Sequence, residues 1–271
     1  MHELAVAEFE RVRPLFEHID YNRPAVFTVL EGRGGRMFVD QPERPTVALI
    51  LFDRCYLAGN SCNAAFNAAL PGLLRTEMMP QREHLLIYTF ADAWRDVLDD
   101  LLREDGVKRI IRTGFDLNPA LFRERHRDWR TRIPQGYVVR QIDADIIAQM
   151  HGLADVWGSN ESFLAHGFGF CVLLDGKVVS SCQTVFVADG HAETGVHTEE
   201  PYRRQGLATL VACAYLEHCI ANGIRAVWQC YYNVASANLA EKLGFANRRE
   251  VEVMYVPVPE AMRQPRRDTA A

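Results

Sequence analysis

The stretch Val196–Gly223, VHTEEPYRRQGLATLVACAYLEHCIANG, decides how the second half of this 271-residue chain folds. It reads as a short strand that passes directly into a helix. The first N–H groups of such a helix have no partner inside it, and the helix dipole makes that end positive. Gly206 and Ala208 keep the connection thin, while Arg203 and Arg204 add positive charge beside it. The stretch therefore predicts a site for a pyrophosphate or another compact polyanion.

Two common phosphate-binding motifs do not fit this stretch. It lacks the Gly-Lys-Ser/Thr ending of nucleoside triphosphatases. It also lacks the Gly-x-Gly turn and the following acidic residue of dinucleotide-binding folds. Taken alone, the stretch leaves one alternative open, an ordinary helix start that carries basic residues on its surface.

The composition narrows the class of protein. A chain with 48% hydrophobic residues is typical of a soluble globular protein, and a formal net charge of -5 argues against a general nucleic-acid binder. No apolar run approaches membrane-spanning length, and the N-terminus does not have the pattern of a signal peptide. The seven cysteines show no CxxC spacing, which favours small buried side chains in a reducing compartment over a zinc site. We therefore expect a cytoplasmic protein with no metal, no membrane contact and no nucleic-acid partner.

Two predicted domains, residues 1–133 and 134–271, divide the chain. In the first we expect helices near Leu4–Ile19 and in NAAFNAALPGLL, and strands in AVFTVLEG and HLLIYTF, among other runs. A charged segment, NPALFRERHRDWRTRIPQG, joins the two domains. Its arginines alternate with Glu124 and Asp128, which predicts a helix and connector with a solvated face rather than a nucleic-acid patch.

The second domain begins with a strand, YVVRQID, and a helix, ADIIAQMHGL, before a loop that contains Trp157 and Phe163. Three consecutive antiparallel strands follow, turned at Asp175-Gly176 and Asp189-Gly190, because Asp-Gly between apolar runs is a strong hairpin signal. The helix of the opening stretch ends at Asn222-Gly223, and a strand, a helix in SANLAEKLGF and a last strand complete the domain. This order of elements predicts an α/β fold.

The sequence RRQGLA, Arg203–Ala208, resembles the Arg/Gln-x-x-Gly-x-Gly/Ala acetyl-CoA loop of the GNAT superfamily of N-acetyltransferases. ETGVHT before it and NVASANLAEKLGF after it stand where that superfamily has its other cofactor and C-terminal motifs. The resemblance covers residues 137–257. It implies a GNAT fold, a mixed, mostly antiparallel sheet with flanking helices, in the C-terminal half. The likeness of the whole chain to one particular GNAT family implies a degenerate GNAT-like α+β domain in front of it.

The whole chain also resembles one GNAT family in particular, the family that includes the zwittermicin A resistance acetyltransferase. The phrases that carry this likeness are VHTEEPYRRQGLATLVA, the Trp-x-Cys segment at Trp228 and Cys230, and the N-terminal FVDQPERP and CYLAGN. The front half has no second Arg-x-x-Gly-x-Ala loop, since Cys55–Ser61 offers a glycine without a flanking arginine. We therefore expect one acetyl-CoA per chain, held by the second half, with the front half forming part of the substrate site.

The GNAT resemblance implies acetyl-CoA as co-substrate and places it residue by residue. The pantetheine arm would lie along residues 196–198, and the pyrophosphate would sit on the backbone N–H groups of residues 204–209. Polar positions that often touch the cofactor correspond to Asn233 and Ser236. The implied cofactor-binding residues are Val196, His197, Thr198, Arg203, Arg204, Gln205, Gly206, Leu207, Ala208, Thr209, Asn233 and Ser236.

The implied reaction is the attack of an amine on a thioester carbonyl, which needs a neutral amine and a donor for the developing oxyanion. A backbone N–H near residues 196–198 can supply that donor. Glu193 is the first candidate for a base that acts through water; pairing with an arginine or binding the substrate amine are its alternatives. His197 is the second candidate, since imidazole transfers protons near neutral pH.

The proton donor for the leaving thiolate is not assigned by the sequence. Many GNAT enzymes have a tyrosine two residues before the Lys of the C-terminal motif, where this chain has Ala240. Tyr231, Tyr232 and Cys230 are candidates nearby in sequence, but a structural role is the favoured interpretation of each. A dedicated acid is not essential, because a thiol with a pKa of about 8.5 leaves readily.

The sequence thus predicts an acetyl-CoA-dependent N-acetyltransferase that acts on a primary amine of a small molecule. A protein or peptide amine is the first alternative, and a non-catalytic acyl-CoA-binding sensor is the second. Neither the identity of the amine nor the oligomeric state can be inferred from the residues.

Overall fold

The computed structural model describes residues 1–150, 152–230 and 234–264, except for the side chains of residues 154 and 155. The chain forms two compact units. The first contains Met1–Tyr21, Val26–Ile111 and the described residues from Val251 onward, and the second contains Asn22–Ala25 and Arg112–Glu250. The domain boundary between residues 133 and 134 stays a prediction.

The described residues form ten α-helices and twelve strands. The α-helices are α1 Arg13–Phe16, α2 Arg23–Leu30, α3 Ala64–Leu73, α4 Ala93–Leu101, α5 Pro119–His126, α6 Ala144–Ile147, α7 Leu153–Trp157, α8 Asn160–His166, α9 Leu207–Ala221 and α10 Val234–Leu243. The strands are β1 His2–Leu4, β2 Arg36–Val39, β3 Val47–Leu51, β4 Cys55–Gly59, β5 His84–Thr89, β6 Lys108–Leu117, β7 Tyr137–Gln141, β8 Gly169–Leu174, β9 Lys177–Ala188, β10 His191–Thr198, β11 Arg225–Cys230 and β12 Phe245–Pro257.

The first unit is built on strands in the order β1-β2-β3-β4-β5-β12. Neighbouring strands run antiparallel except β4 and β5, which are parallel. Apolar side chains of α3 and α4, including Phe66 and Trp94, pack on one side of this sheet and are fully buried. Burial of such large side chains stabilises the unit, because apolar surface leaves water.

The second unit has the strand order β6-β11-β10-β9-β8-β7. The predicted three-strand run β8-β9-β10 is confirmed, with both turns at Asp-Gly. The two residues of each turn have positive φ, 49° and 78° at Asp175-Gly176 and 49° and 69° at Asp189-Gly190. This is the conformation of a type I′ hairpin turn, which Asp-Gly adopts at low cost.

Helix α9 is the centre of the second unit. Ten of its residues are buried, and nine of them pack in one cluster with side chains of β9, β11 and α10. The helix therefore cannot show a polar face along most of its length, which explains its almost wholly apolar sequence. In the part of the chain that the structure describes, no helix combines the length and the apolar character needed to cross a membrane.

The strand predicted in AVFTVLEG is wrong, because residues 23–30 form helix α2. Pro24 stands at the start of the helix, where the missing N–H costs nothing. Nearly every residue from Ala25 to Leu30 is buried. A short apolar segment that is buried all round has no periodicity to distinguish a helix from a strand, and its β-branched residues then favour the wrong assignment.

Two predictions of irregular or helical structure also need correction. The continuous N-terminal helix is instead a short strand, a 3₁₀ helix Val6–Val12 and α1, because Pro14 interrupts the hydrogen bonding of a longer helix and begins a new one. The predicted loop around Trp157 and Phe163 is largely helical. Ser159 caps α8 by accepting a hydrogen bond from the N–H of Ser162 at 3.1 Å.

Candidate cofactor site

Strand β10 separates from β11 in the middle of the second unit. The parallel register joins His191–Glu193 to Arg225–Val227 and is not continued beyond Glu193 among the described residues. Strand β11 nevertheless continues to Cys230, paired with β6. Strand β10 continues to Thr198, paired with β9. The backbone edge of residues 194–198 that points toward β11 is therefore open to an extended ligand.

A register shift marks the same position. Between Ala192 and Thr194 the pairing of β10 with β9 slips by one residue, so β9 carries an extra residue there. Such bulges increase the local twist and redirect a strand. The shift coincides with Glu193, the last residue paired to β11, and it accounts for the divergence of the two strands.

The loop after β10 turns sharply at two residues in the left-handed region. Arg204 has φ 61° and Gly206 has φ 83°, on either side of Gln205. For Arg204 this conformation costs roughly 1 kcal/mol or more, because its Cβ crowds the backbone. Alternation of this kind directs successive N–H groups toward one side and forms an anion-binding concavity. A Cβ built on Gly206 would meet nothing within 4 Å, so the space beside it is open.

Helix α9 starts directly after this turn without a side-chain cap. The N–H groups of Thr209 and Leu210 already donate to the Gly206 carbonyl, at 3.0 and 3.2 Å. The N–H groups of Leu207 and Ala208 come before these donors, in the part of the first turn that has no intrahelical acceptor. The helix start therefore offers backbone donors together with the positive end of the dipole.

A cleft of about 330 Å³ opens at this point. Its lining consists of the loop, the first turn of α9 and one side chain of α10: Thr198, Tyr202, Arg203, Arg204, Gly206, Leu207, Ala208, Thr209 and Lys242. Three of these side chains are cations. The Nε of Arg203 donates to the Thr198 carbonyl at 3.0 Å, which ties that arginine to the end of β10. The cleft combines backbone donors with positive charge, and this suits a phosphate ester.

Tyr202 and Lys242 are the cleft residues that the sequence does not single out, and Lys242 is the one that carries a charge. Its Nζ donates to the Thr209 hydroxyl at 3.3 Å, across from the start of α9. The residue belongs to the LAEKLGF motif, which was noted for its resemblance only. Its position depends on how α10 packs against α9, and a local pattern does not carry that information.

The two candidates for proton transfer lie on one face of β10. Val196 packs into the cluster around α9, so the alternation along a strand directs Glu193 and His197 to the opposite face. Glu193 is 4% exposed. His197 has 57% of its side chain exposed, and its Nε2 lies 3.4 Å from the Glu199 carboxylate. A shielded carboxylate and a solvated imidazole therefore share this side of the sheet.

Other predicted positions have their side chains occupied locally. The Gln205 amide accepts a hydrogen bond from the Tyr137 hydroxyl and donates to the Pro201 carbonyl, both at 3.2 Å. The Ser236 hydroxyl accepts from Trp228 Nε1 at 2.9 Å. Ala240, in the position of the usual tyrosine, is fully buried in the core. Tyr231 and Asn233 lie outside the described residues.

The chain's potential metal ligands are scattered in the described part of the structure. No group of three or more His, Cys, Asp or Glu side chains comes together there. All seven cysteines are free thiols, and all but Cys62 are buried. Burial raises the pKa of the Cys55, Cys213 and Cys219 thiols to about 12, so these three stay protonated and unreactive.

The comparison with protein families decides which family the chain belongs to. The model of the GNAT acetyltransferase family matches residues 13–254. The chain belongs to the GNAT acetyltransferase family. It is 29% identical over 266 residues to the uncharacterized N-acetyltransferase YdfB of Bacillus subtilis (strain 168), covering 94% of this chain and 98% of that relative. The predicted N-acetyltransferase class is thereby confirmed.

Solved structures confirm the predicted α/β fold. A GCN5-related N-acetyltransferase-like protein from Streptococcus suis 89/1591 superposes with a TM-score of 0.69 at 24% identity, over 93% of this chain and 98% of that one. A tandem GNAT protein from the clavulanic acid biosynthesis pathway gives a TM-score of 0.61 at 15% identity, over 95% and 98% of the two chains. At these identities the likeness concerns the GNAT fold.

Proposed function

We propose that this N-acetyltransferase uses acetyl-CoA and transfers the acetyl group directly to a primary amine, that of a small molecule. One observation carries the proposal: β10 leaves β11 after Glu193 and leads, within a few residues, into a helix start lined by three cations. An open backbone edge suits the amides of a pantetheine arm, and the cationic helix start suits its pyrophosphate.

The cofactor is proposed to follow the chain from the cleft to the strand gap. The pyrophosphate lies on the N–H groups of residues 204–209, with Arg203 and Arg204 compensating its charge. The pantetheine amides pair with the backbone of Val196, His197 and Thr198. The acetyl group then reaches the point where β10 and β11 diverge, next to Glu193. Ser236 and Asn233 complete the proposed set of cofactor-binding residues.

Catalysis is proposed to rest on position first and on one carboxylate second. Holding the amine against the thioester carbonyl removes most of the entropic barrier, and a β10 backbone N–H stabilises the oxyanion. Glu193 takes the proton of the incoming ammonium through water, with His197 as the second candidate, and Tyr231 is a candidate donor for the leaving thiolate. The burial of Ala240 in the core gives that position of α10 no part in proton transfer, and the thiolate leaves without an acid from it.

The finer assignment follows the sequence phrases. We place the chain with the family of the zwittermicin A resistance acetyltransferase, on the phrase VHTEEPYRRQGLATLVA and the segment at Trp228 and Cys230. This placement is the reason for proposing a small-molecule acceptor over a protein. A cytoplasmic location is proposed with it, supported by the seven free thiols.

The test is turnover on defined amines. The protein is incubated with acetyl-CoA and a panel of small primary amines, and free thiol and the mass of the acetylated product are followed together. Thiol release matched by acetylated amine is the expected result. Thiol release without an acetylated amine, or binding of acetyl-CoA without any turnover across the panel and on peptide amines, would contradict the proposal.

A further inference from the structure

The charged segment between the predicted domains touches both helices that border the cleft. Within it lie α5 and the 3₁₀ helix Trp129–Arg132. We call residues 118–132 the brace. From its sequence the brace is predicted to be a helix and connector with a solvated face, and the proposed function uses none of its residues. Its contacts with α9 and α10 assign it a role.

The brace binds the C-terminal end of α10 through three carbonyls. Arg125 Nη1 donates to the Glu241 carbonyl at 2.6 Å, and His126 Nε2 lies 2.9 Å from the Lys242 carbonyl. The backbone N–H of Asn118 donates to the Gly244 carbonyl at 3.0 Å. The last carbonyls of a helix have no acceptor role inside it, so cationic and N–H donors stabilise them.

Gly244 shows how closely the brace approaches. It has φ 94°, and a Cβ built there would lie 2.8 Å from the backbone nitrogen of Phe122. Only glycine permits this contact, because any side chain would collide with the brace backbone. The glycine of the Lys-Leu-Gly sequence is therefore required by the close approach of the brace backbone. The lysine two residues earlier is held at a fixed place.

The brace also binds α9, the other wall of the cleft. The indole N–H of Trp129 donates to Glu217 Oε1 at 2.8 Å, and Arg130 contacts both oxygens of the same carboxylate, at 3.0 and 2.7 Å. The indole is 2% exposed, so its hydrogen bond is shielded from water. Helix α9 is continuous from Leu207 to Ala221. Contacts that hold Glu217 therefore also hold the helix whose first turn supplies the backbone donors.

We propose that Lys242 binds the pyrophosphate of the cofactor and that the brace is the positioning element for this lysine. The inference rests on the proposed function, since it takes acetyl-CoA as the ligand. Lys242 lines the same cleft as Arg203 and Arg204, and its Nζ donates to the Thr209 hydroxyl in the first turn of α9. An ammonium there adds a point charge to the backbone donors, and its place is set by the carbonyls that the brace holds.

The first experiment measures acetyl-CoA binding by calorimetry on the intact chain. Lys242→Met should raise Kd by about 10-fold, and Lys242→Arg should restore most of the affinity because the charge is kept. Lys108→Met, at an exposed lysine in the first unit, which contributes no residue to the cleft lining, is the matched control and should leave Kd unchanged. Equal Kd values for Lys242→Met and wild type would overturn the proposal.

A second ligand identifies the phosphate that Lys242 meets. Acetyl-dephospho-CoA lacks only the ribose phosphate and keeps the pyrophosphate. If Lys242 binds the pyrophosphate, Lys242→Met weakens both ligands by the same factor. If the factor disappears with the dephospho ligand, Lys242 meets the ribose phosphate instead, and the pyrophosphate assignment is wrong.

A double-mutant cycle tests the positioning role. His126→Phe keeps the ring stacked on Phe122 but removes the bond to the Lys242 carbonyl. It should raise Kd by about 3-fold in the presence of Lys242 and leave Kd unchanged in Lys242→Met, since the two side chains then act through one interaction. His126→Gln, which retains an N–H donor, should rescue the affinity. Independent, additive effects would show a merely structural brace.

These measurements separate the inference from the proposed function. Transfer to an amine with no dependence of Kd on Lys242 would refute the inference and leave the function standing. Acetyl-CoA binding that depends on Lys242 and His126, without transfer to any amine, would refute the function and support the inference. A wild-type chain that does not bind acetyl-CoA would overturn both.

Discussion

The two ends of α9 begin and finish the same helix with a glycine, but they satisfy the backbone in opposite ways. Gly206 at the start has φ 83° and Gly223 after the end has φ 69°. A Cβ built on either glycine meets nothing within 4 Å. At the C-terminal end the chain itself supplies the partners. The N–H of Gly223 donates to the Ile220 carbonyl at 3.4 Å and that of Ile224 to the Cys219 carbonyl at 2.9 Å, the two bonds of a Schellman motif.

The N-terminal end has no comparable internal solution. No side chain caps it, and the neighbouring loop adds cations and a concavity instead of an acceptor. A glycine at a helix end therefore indicates a backbone conformation and nothing more. Whether that end closes the fold or binds a ligand is decided by what supplies the missing hydrogen-bond partners.

The largest expected effect comes from placing the same charged side chain at each end. Gly206→Glu should weaken acetyl-CoA binding by about 1000-fold or abolish it, because a carboxylate would occupy the space of the pyrophosphate. Gly223→Glu carries the same backbone strain and should bind normally. The rise in melting temperature with acetyl-CoA measures both. Equal thermal shifts in the two variants would show that the two ends of α9 do not differ in ligand binding, and the phosphate-site assignment would be wrong.

A second substitution asks whether binding at the helix start and chemistry at the strand gap are separate. Glu193→Gln should lower turnover at neutral pH by about 100-fold, since the proton acceptor is lost, and acetyl-CoA affinity should change little. Raising the pH should recover part of the loss, because more of the amine is then neutral. Unchanged turnover would remove Glu193 from catalysis, and a parallel loss of acetyl-CoA affinity would indicate a structural role.

The sequence predicted those parts of this site that depend on local signals. Each of these signals depends only on adjacent residues: the Asp-Gly turns at residues 175 and 189, the end of α9 at Asn222-Gly223, and the glycine-containing loop. The structure contains all of them. Helix α2 was missed because its burial all round removes the periodicity that distinguishes helix from strand. Lys242 was missed because its place in the cleft depends on the packing of α10 against α9 and the brace.

The separation of β10 from β11 was expected from the resemblance and not from the residues themselves. Glu193 and Thr194, where the pairing stops, are not strand breakers, although Gly195 follows directly, and the structure shows a one-residue register shift against β9 at this point. A bulge depends on how two strands are aligned, so neither strand records it alone. The same limit applies to Glu193, because the face of the sheet on which its side chain is buried can be assigned only when the strand register is known.

A smaller effect is expected when only the conformational freedom of each glycine is removed. Gly206→Ala and Gly223→Ala should each lower the free energy of unfolding of the ligand-free protein by about 1 kcal/mol, since alanine is strained at positive φ. Denaturant unfolding measures this quantity. The comparison predicts nearly equal losses at the two ends, because the ligand-free protein uses both glycines for conformation alone. A much larger loss at Gly206 would mean that this glycine packs against the fold.

The smallest expected effect is a pH dependence located at the C-terminal end of α9. His218 lies in the last turn, half-buried beside Phe168 and Phe170, and burial lowers the pKa of its imidazole. The unfolded chain therefore binds the proton more readily, so the stability that His218 contributes is present above its unfolded pKa of about 6.5 and is lost as the pH falls below it. His126 adds a change of the same sign, because burial lowers its pKa too.

His218→Phe should reduce the loss of unfolding free energy between about pH 7 and pH 5 without removing it. The ratio between the acetyl-CoA affinities of the His218→Phe variant and the wild type should stay constant over the same pH range, since the pyrophosphate site is at the other end of the helix. A variant with the full wild-type pH dependence, or one whose cofactor affinity changes with protonation, would show that the two ends are not independent.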